Sequence, residues 1–243
     1  IYAKHILANV KDPKIAVLMQ NDDYGKDYWE GFKDGLGKDA GKIVKHVTYE
    51  VTDPTVDSQV IQLKDSGANV FFNIATPKAA AQAIRKAGDL GWKPAQYLNN
   101  VSASVATVMK PAGFENVQGV LTAAYLMDPT DKQWDDNADM KAWKEWMTKY
   151  NAGASPSDAF NVFAYSVVNL MHETLKKCGN DLTRENLMKQ AASFQKYKLP
   201  MTLPGITVNT SPTDFYPIQA VQLQRFKGET WDLFGDVMHA ESS

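Results

Sequence analysis

Apolar and polar positions along the first half of the chain predict strands and helices in turn. Apolar runs of strand length are followed by segments in which apolar residues recur every three or four positions. The predicted strands cover residues 14–20, 42–50, 69–75, 95–99 and 117–125. The predicted helices cover residues 1–10, 24–40, 55–66 and 77–90, with a helical turn over 102–109. This alternation is typical of a parallel sheet covered on both faces by helices.

The pattern changes after Leu126. An irregular acidic segment precedes helices predicted at 138–150, 157–177 and 183–195, and strands are predicted only near 206–208 and 216–226. These helices need a sheet to pack on, and the remaining strands are too few to supply it. We therefore expect a second domain of which only part is present. Because Ile1–Val10 already follows a helical pattern, we also expect the chain to begin in the middle of a larger protein.

Composition excludes several classes of partner. The 243 residues include 44% hydrophobic residues, and 26 basic and 28 acidic side chains give a net charge of −2 without long runs of one sign. Neither a nucleic-acid surface nor a membrane anchor is indicated, and no apolar run reaches the roughly 18 residues of a membrane-spanning helix. Cys178 has no second thiol for a disulfide or metal site, so we expect it to be a half-buried helix residue.

Motifs for catalysis or cofactor binding are not found. Asp22-Asp23 at a strand end suits a hard cation, but the third strand ends at Ala75-Thr76 without the further aspartate that such a site needs. Asp23 is therefore interpreted as the N-cap of the helix at 24–40, which Gly41 is expected to end. No glycine-rich phosphate loop or nucleophile elbow follows a strand, and the four histidines are scattered. We expect no cofactor and no enzymatic activity.

Neutral polar and aromatic residues recur where the predicted strands end. Tyr24 follows the first strand, Ala75 and Thr76 follow the third, and Asn99–Ser102 follows the fourth. The carboxyl ends of parallel strands meet at one edge of a sheet, where ligands bind. Such a rim suits a small molecule that is bound but not chemically changed. Each residue also has a structural alternative, since Tyr24 could pack on the first helical turn and Thr76 and Ser102 could cap helices.

Five segments carry a resemblance to a known family through their order and spacing. They are Asn21–Gly25, Gly31–Gly35, Ala87–Pro94, Gly113–Gly119, and Ala159–Leu175 with its Ala164-Tyr165 pair. The chain resembles the type I periplasmic substrate-binding proteins of ABC importers, in the group that binds branched-chain amino acids. The resemblance extends over essentially the whole chain, which aligns with the last two-thirds of a family member.

This resemblance implies an α/β fold of the periplasmic binding protein type I class, in which two Rossmann-like lobes joined by a hinge close on a ligand. Residues 1–122 would form lobe two, residues 123–215 would give helices to an incomplete lobe one, and residues 216–243 would return as strands and tail of lobe two. The resemblance also implies a periplasmic protein, monomeric when intact, that neither spans the membrane nor binds nucleic acid. Its partner would be an ABC permease in the inner membrane.

The ligand wall of lobe two is also implied by the resemblance. It would comprise Tyr24, Ala75, Thr76, Asn100 and Phe160, with Ser102 added from the strand-end pattern. Family members that bind α-amino acids have an acidic residue where Asn100 falls, and a buried ammonium without a carboxylate partner is costly. We therefore predict a carboxylate without an α-ammonium, such as an aromatic or phenylpropanoid acid. Branched-chain amino acids, or a sensory or regulatory domain of the same fold, are the alternatives.

Overall fold

The computed structural model of the chain describes residues 1–239 and divides into two compact units. The sheet unit comprises Ile1–Ala123 and Leu223–Phe234. The helical unit comprises Ala124–Gln222 and the described residues from Gly235 onward. The end of the predicted segment 216–243, residues 240–243, lies outside the described residues.

One seven-stranded sheet organises the fold. In chain order its strands are β1 (Ile15–Gln20), β2 (Ile43–Tyr49), β3 (Val70–Ile74), β4 (Ala95–Leu98), β5 (Leu121–Ala124), β6 (Ala220–Lys227) and β7 (Thr230–His239). In space they run β2-β1-β3-β4-β5-β6-β7. Strands β1 to β5 pair in parallel, with Val17 of β1 opposite His46 on one side and Phe72 on the other. The predicted α/β fold is confirmed.

Helices cover both faces of this sheet because β1 and β3 are apolar on both sides. The helices of the sheet unit are α1 (Tyr2–Asn9), α2 (Asp23–Leu36), α3 (Asp57–Asp65), α4 (Pro77–Asp89) and the short α5 (Lys110–Ala112). Ile6 and Phe32 of α1 and α2 pack with Val17 on one face. Val60 and Ile84 of α3 and α4 pack with Leu18 on the other. Every residue of β1 and β3 is buried, and all are apolar except Gln20 at the end of β1 and Asn73 within β3.

Two sequence predictions at the ends of α2 are wrong. The helix ends at Gly37, four residues before Gly41, because Gly37 adopts a φ of 52° and returns its N–H to the Asp34 carbonyl. Residues Gly37–Lys42 then form a 3₁₀ turn. At the other end the N-cap is Asp22, whose carboxylate accepts from the Gly25 N–H at 3.1 Å, and Asp23 is already helical. The proline that opens α4, Pro77, is confirmed at the first helical position.

The helical unit contains α6 (Ala138–Tyr150), α7 (Ala159–Cys178) and α8 (Arg184–Ala191). Trp143 is fully buried on α6, and Cys178 is buried rather than half-buried at the end of α7. The strand predicted near 206–208 is reduced to a single bridge between Tyr197 and Val208. One side of α7 leaves large apolar side chains exposed, namely Phe160, Phe163, Val167, Val168, Met171 and Leu175.

Among the described residues, no helix is both long enough and apolar enough to cross a membrane.

Candidate functional site

The candidate site lies where β1, β3 and β4 end in the sheet unit. The chain proceeds from β1 outward to β2 and then crosses back over to β3, so the strand order reverses between β1 and β3. In open α/β sheets a crevice forms outside the carboxyl ends of the strands at such a reversal. We call the side chains gathered there the strand-end edge; they are Gln20, Tyr24, Tyr28, Tyr49, Thr76, Asn99 and Asn100.

Tyr24 is held at this edge by the way α2 begins. Asp22 caps the helix, and Gly25 allows the first turn to approach β1 closely, since a Cβ on Gly25 would lie 1.9 Å from the Gln20 carbonyl oxygen. The Tyr24 hydroxyl donates to Asn99 Oδ1 at 2.7 Å. Its ring meets the Tyr28 ring edge to face, with the centroids 5.3 Å apart. The predicted ligand-facing tyrosine is thus anchored at both its ring and its hydroxyl.

Asn99 connects the edge to the strands beneath it. The sequence placed it in the strand-end stretch Asn99–Ser102, but only Asn100 and Ser102 of that stretch were predicted as site residues. Its side chain is 0% exposed. Besides accepting from Tyr24, its Oδ1 accepts from the Ser102 N–H at 3.1 Å. Its Nδ2 donates to the carbonyls of Asn73 at 3.1 Å and Ala75 at 2.7 Å. All four hydrogen-bonding positions of this buried amide are used, which ties the ends of β3 and β4 to α2.

A second network joins the ends of β1, β2 and β3. The hydroxyls of Tyr49 and Thr76 both donate to Gln20 Oε1 at 2.8 Å. The Thr76 N–H donates to the Tyr49 hydroxyl at 3.0 Å. Thr76 occupies the N-cap position of α4 but makes no capping bond through its side chain. The signal for Gln20 was available in the sequence, because it is the last residue of the strand predicted at 14–20 and it is polar. Tyr49 gave no such signal, since the strand predicted at 42–50 ends one residue later.

The remaining predicted residues of the sheet unit lie at or just beneath the edge. Half-buried Asn100 accepts a hydrogen bond from the Tyr28 hydroxyl. The Ser102 hydroxyl donates to the Ala75 carbonyl at 2.6 Å, and both residues are 0% exposed. In this structure Ala75 and Ser102 therefore support the edge. A direct ligand contact for either residue stays a prediction.

Phe160 belongs to the other unit, so the structure gathers five of the six predicted residues at one edge. It lies on the first turn of α7, where its N–H donates to the capping carboxylate of Asp158 at 2.9 Å. Its side chain is 50% exposed. The role of Phe160 in ligand binding stays a prediction.

The phenols of Tyr24 and Tyr49 are neutral at physiological pH. The pKa of Tyr24 is raised, first by burial and then by Tyr2, Tyr49 and Asp22. Burial also raises the pKa of Tyr49, and it raises the pKa of Tyr2 to about 12. Within residues 1–239, no group of three or more His, Cys, Asp or Glu side chains is placed to hold a metal ion. The edge therefore offers uncharged hydrogen-bonding groups between tyrosine rings.

Raised tyrosine pKa values predict alkaline destabilisation of the sheet unit. Burial raises the pKa of both Tyr2 and Tyr97 to about 12. A pKa that is higher in the folded state gives stability that is complete below the unfolded value of about 10 and is lost as pH rises through 12. We expect the free energy of unfolding in urea to fall between pH 10 and 12. The Tyr97→Phe variant should lose less free energy of unfolding over that interval. The same pH dependence in this variant as in the wild type would contradict the contribution assigned to the Tyr97 hydroxyl.

The fold and the edge together define a class of protein. A parallel sheet with helices on both faces, carrying a neutral edge of tyrosine and amide side chains at its strand reversal, is typical of small-molecule binding domains. The chain belongs to the periplasmic binding protein family, which it matches over residues 2–230.

Individual relatives confirm the resemblance found in the sequence. A Leu/Ile/Val-binding protein homologue of Brucella melitensis is 25% identical over 180 residues, which are 74% of this chain and 46% of that protein. A branched-chain amino acid ABC transporter protein of Thermus thermophilus, solved with bound valine, has a TM-score of 0.80 at 14% identity. A substrate-binding periplasmic protein of Ralstonia solanacearum has a TM-score of 0.79 at 19% identity.

These matches also show what share of each relative's length the chain spans. It aligns over 99% of its own length with the Thermus protein and over 98% with the Ralstonia protein, yet it covers 64% of each. It spans about half of the Brucella relative. The similarity to these solved structures supports the fold, which agrees with the fold predicted from the sequence.

Proposed function

We propose that this chain is part of the solute-binding component of an ABC importer, working outside the cytoplasm and delivering its ligand to a membrane permease. In this proposal residues 1–122 and the returning C-terminal strands form lobe two, and residues 123–215 contribute helices to lobe one. The intact protein is a non-enzymatic monomer. Membership of the periplasmic binding protein family supports the role. The observation that carries it is the strand-end edge, where Tyr24 and Thr76 stand half-buried at the strand reversal.

The chemistry of this edge favours a ligand without an α-ammonium. Asn100 supplies a neutral amide at the position expected for an acid. Asp22, the carboxylate of the edge network, is held on both oxygens, by the Gly25 N–H and by Gln20 Nε2. An ammonium placed at Asn100 would face a neutral amide there, which compensates a buried charge less well than a carboxylate does. We therefore propose a small carboxylate of the aromatic or phenylpropanoid type, for which Tyr24 and Tyr28 offer ring faces in the sheet unit.

A branched-chain amino acid is the second candidate, because the names of the Brucella and Thermus relatives refer to leucine, isoleucine and valine. Thermal unfolding of the full-length protein separates the two. A ligand at a hundred times its Kd adds about 2.7 kcal/mol to the free energy of unfolding, which is a clear rise in Tm. We expect that rise with benzoate and 3-phenylpropanoate. Stabilisation by leucine or valine alone would replace the proposed ligand class with α-amino acids.

Tyr24→Ala is expected to weaken binding of the ligand found in that screen by more than tenfold, because the substitution removes a ring face and an anchored hydroxyl from the edge. Isothermal titration calorimetry measures the change, and circular dichroism checks that the fold is intact. Tyr150→Ala is the matched control, since Tyr150 is 65% exposed at the end of α6 in the helical unit. Equal affinities in the two variants would return Tyr24 to a purely structural role.

A further inference from the structure

Three side-chain hydroxyls of the strand-end edge donate hydrogen bonds to amide oxygens within the edge. The hydroxyl of Tyr24 donates to Asn99 Oδ1, and those of Tyr49 and Thr76 donate to Gln20 Oε1. An amide oxygen only accepts, so each of these hydroxyls must be the donor. The direction of the hydrogen bonds then depends on whether the two amides are locked in orientation.

Asn99 is locked by the backbone. Its Nδ2 faces the carbonyl oxygens of Asn73 and Ala75, while its Oδ1 faces the Ser102 N–H. Rotating the amide by half a turn would place its oxygen against two carbonyl oxygens and its NH₂ against an N–H. Burial makes such unpaired groups costly. The hydroxyl proton of Tyr24 is therefore fixed in the hydrogen bond to Asn99 Oδ1.

Gln20 is locked by a carboxylate. Its Nε2 donates to Asp22 Oδ2 at 2.5 Å, and an ionised carboxylate can only accept. The other Asp22 oxygen is used by the Gly25 N–H of the helix cap. Gln20 Oε1 must consequently point toward Tyr49 and Thr76. The two hydroxyls also lie 3.1 Å from each other, so the hydrogen bonds that they donate stay among these three oxygen atoms.

This arrangement leaves Tyr24 and Thr76, which are half-buried residues, with only the lone pairs of their hydroxyls to offer a ligand. Tyr24 stays protonated because its pKa is raised by burial. Asn100 adds a donor, since its Oδ1 is used by Tyr28 and its Nδ2 has no partner among the described residues. A group that both donates and accepts uses these lone pairs and the Asn100 donor together, whereas a carboxylate would meet lone pairs and an ammonium would leave Asn100 Nδ2 without an acceptor.

We infer that the strand-end edge recognises a hydroxyl group of the ligand, which donates to the Tyr24 hydroxyl oxygen and accepts from Asn100 Nδ2. The inference rests on the proposed function and sharpens it to hydroxylated aromatic acids. The ligand's carboxylate is then bound away from this edge. Asn99 is the positioning residue, because it keeps the Tyr24 hydroxyl turned as an acceptor.

A matched ligand pair tests this inference in the full-length protein. Calorimetric Kd values are compared for 3-(4-hydroxyphenyl)propanoate and 3-phenylpropanoate, which differ by one hydroxyl, with leucine as a third ligand. We expect the hydroxylated acid to bind at least about tenfold more tightly. Tyr24→Phe should reduce that preference to about threefold or less while leaving the affinity for 3-phenylpropanoate within about twofold. The control Tyr150→Phe should keep the full preference.

The outcomes separate this inference from the proposed function. Equal affinity for the two acids in the wild type, or an unchanged preference in Tyr24→Phe, would overturn the hydroxyl assignment and leave the binding of aromatic acids standing. Binding of leucine with no binding of either acid at millimolar concentration would overturn the proposed ligand class, and the hydroxyl assignment with it. The wild-type comparison alone is decisive even if the variant folds poorly.

Discussion

Replacing Gly25 with alanine is expected to lower the free energy of unfolding by about 3 kcal/mol, because the new methyl group has no space. The Cβ would lie 1.9 Å from the Gln20 carbonyl oxygen and 2.9 Å from the Gln20 carbonyl carbon. Both atoms belong to the backbone of β1, so neither can rotate away. The first turn of α2 would have to move off the strand, at a cost at the upper end of that for overpacking a core. Tyr24 would move with it, and ligand affinity should fall as well.

The neighbouring glycine of the same helix provides the control. A Cβ on Gly31 meets nothing within 4 Å. Gly31→Ala should therefore stabilise the protein by up to about 1 kcal/mol, because alanine is the better helix former. Urea unfolding of the two variants gives both values directly. A loss below about 1 kcal/mol in Gly25→Ala would show that α2 can shift without strain, and Gly25 would then no longer explain the placement of Tyr24.

The sheet could be predicted because its physics is local and periodic. Strands buried on both faces, such as β1 and β3, are apolar along most of their length, and Pro77 marks the start of α4. The end of α2 was missed because Gly37 and Gly41 satisfy the same sequence rule and only tertiary packing chooses between them. The closing strand β7 alternates irregularly between half-buried and exposed residues, which gives no clear period.

From the sequence, the candidate site could be predicted only as a set of residues at the ends of strands. Tyr24 and Thr76 follow from the rule that parallel strands end at a common edge. Which of Asn99 and Asn100 turns inward depends on the backbone rotation after β4, and two adjacent asparagines give the same pattern in the sequence. Likewise, Gln20 joins Tyr49 only through the strand order, which places β2 beside β1. Hydrogen-bond networks between distant segments are set by register, and the local sequence does not encode it.

Asn99→Asp is the second substitution with a large expected effect, although it changes the shape of the side chain hardly at all. The wild-type Nδ2 donates to the carbonyls of Asn73 and Ala75. A carboxylate would place an oxygen against both carbonyls in a fully buried position. We expect the free energy of unfolding at pH 7 to fall by about 3 kcal/mol or more, since a buried charge without a partner is costly.

The pH dependence of this loss identifies its cause. Burial against carbonyl oxygens should raise the pKa of the introduced aspartic acid above its unfolded value of about 3.9. Its stability contribution is then complete below that value and is lost as pH rises, so the gap to wild type should be smaller at pH 4 than at pH 7. Asn137→Asp is the control, because Asn137 caps α6 through its oxygen alone and aspartate caps equally well. A loss in Asn99→Asp that is the same at both pH values would mean that the lost donor, and not the buried charge, causes the instability.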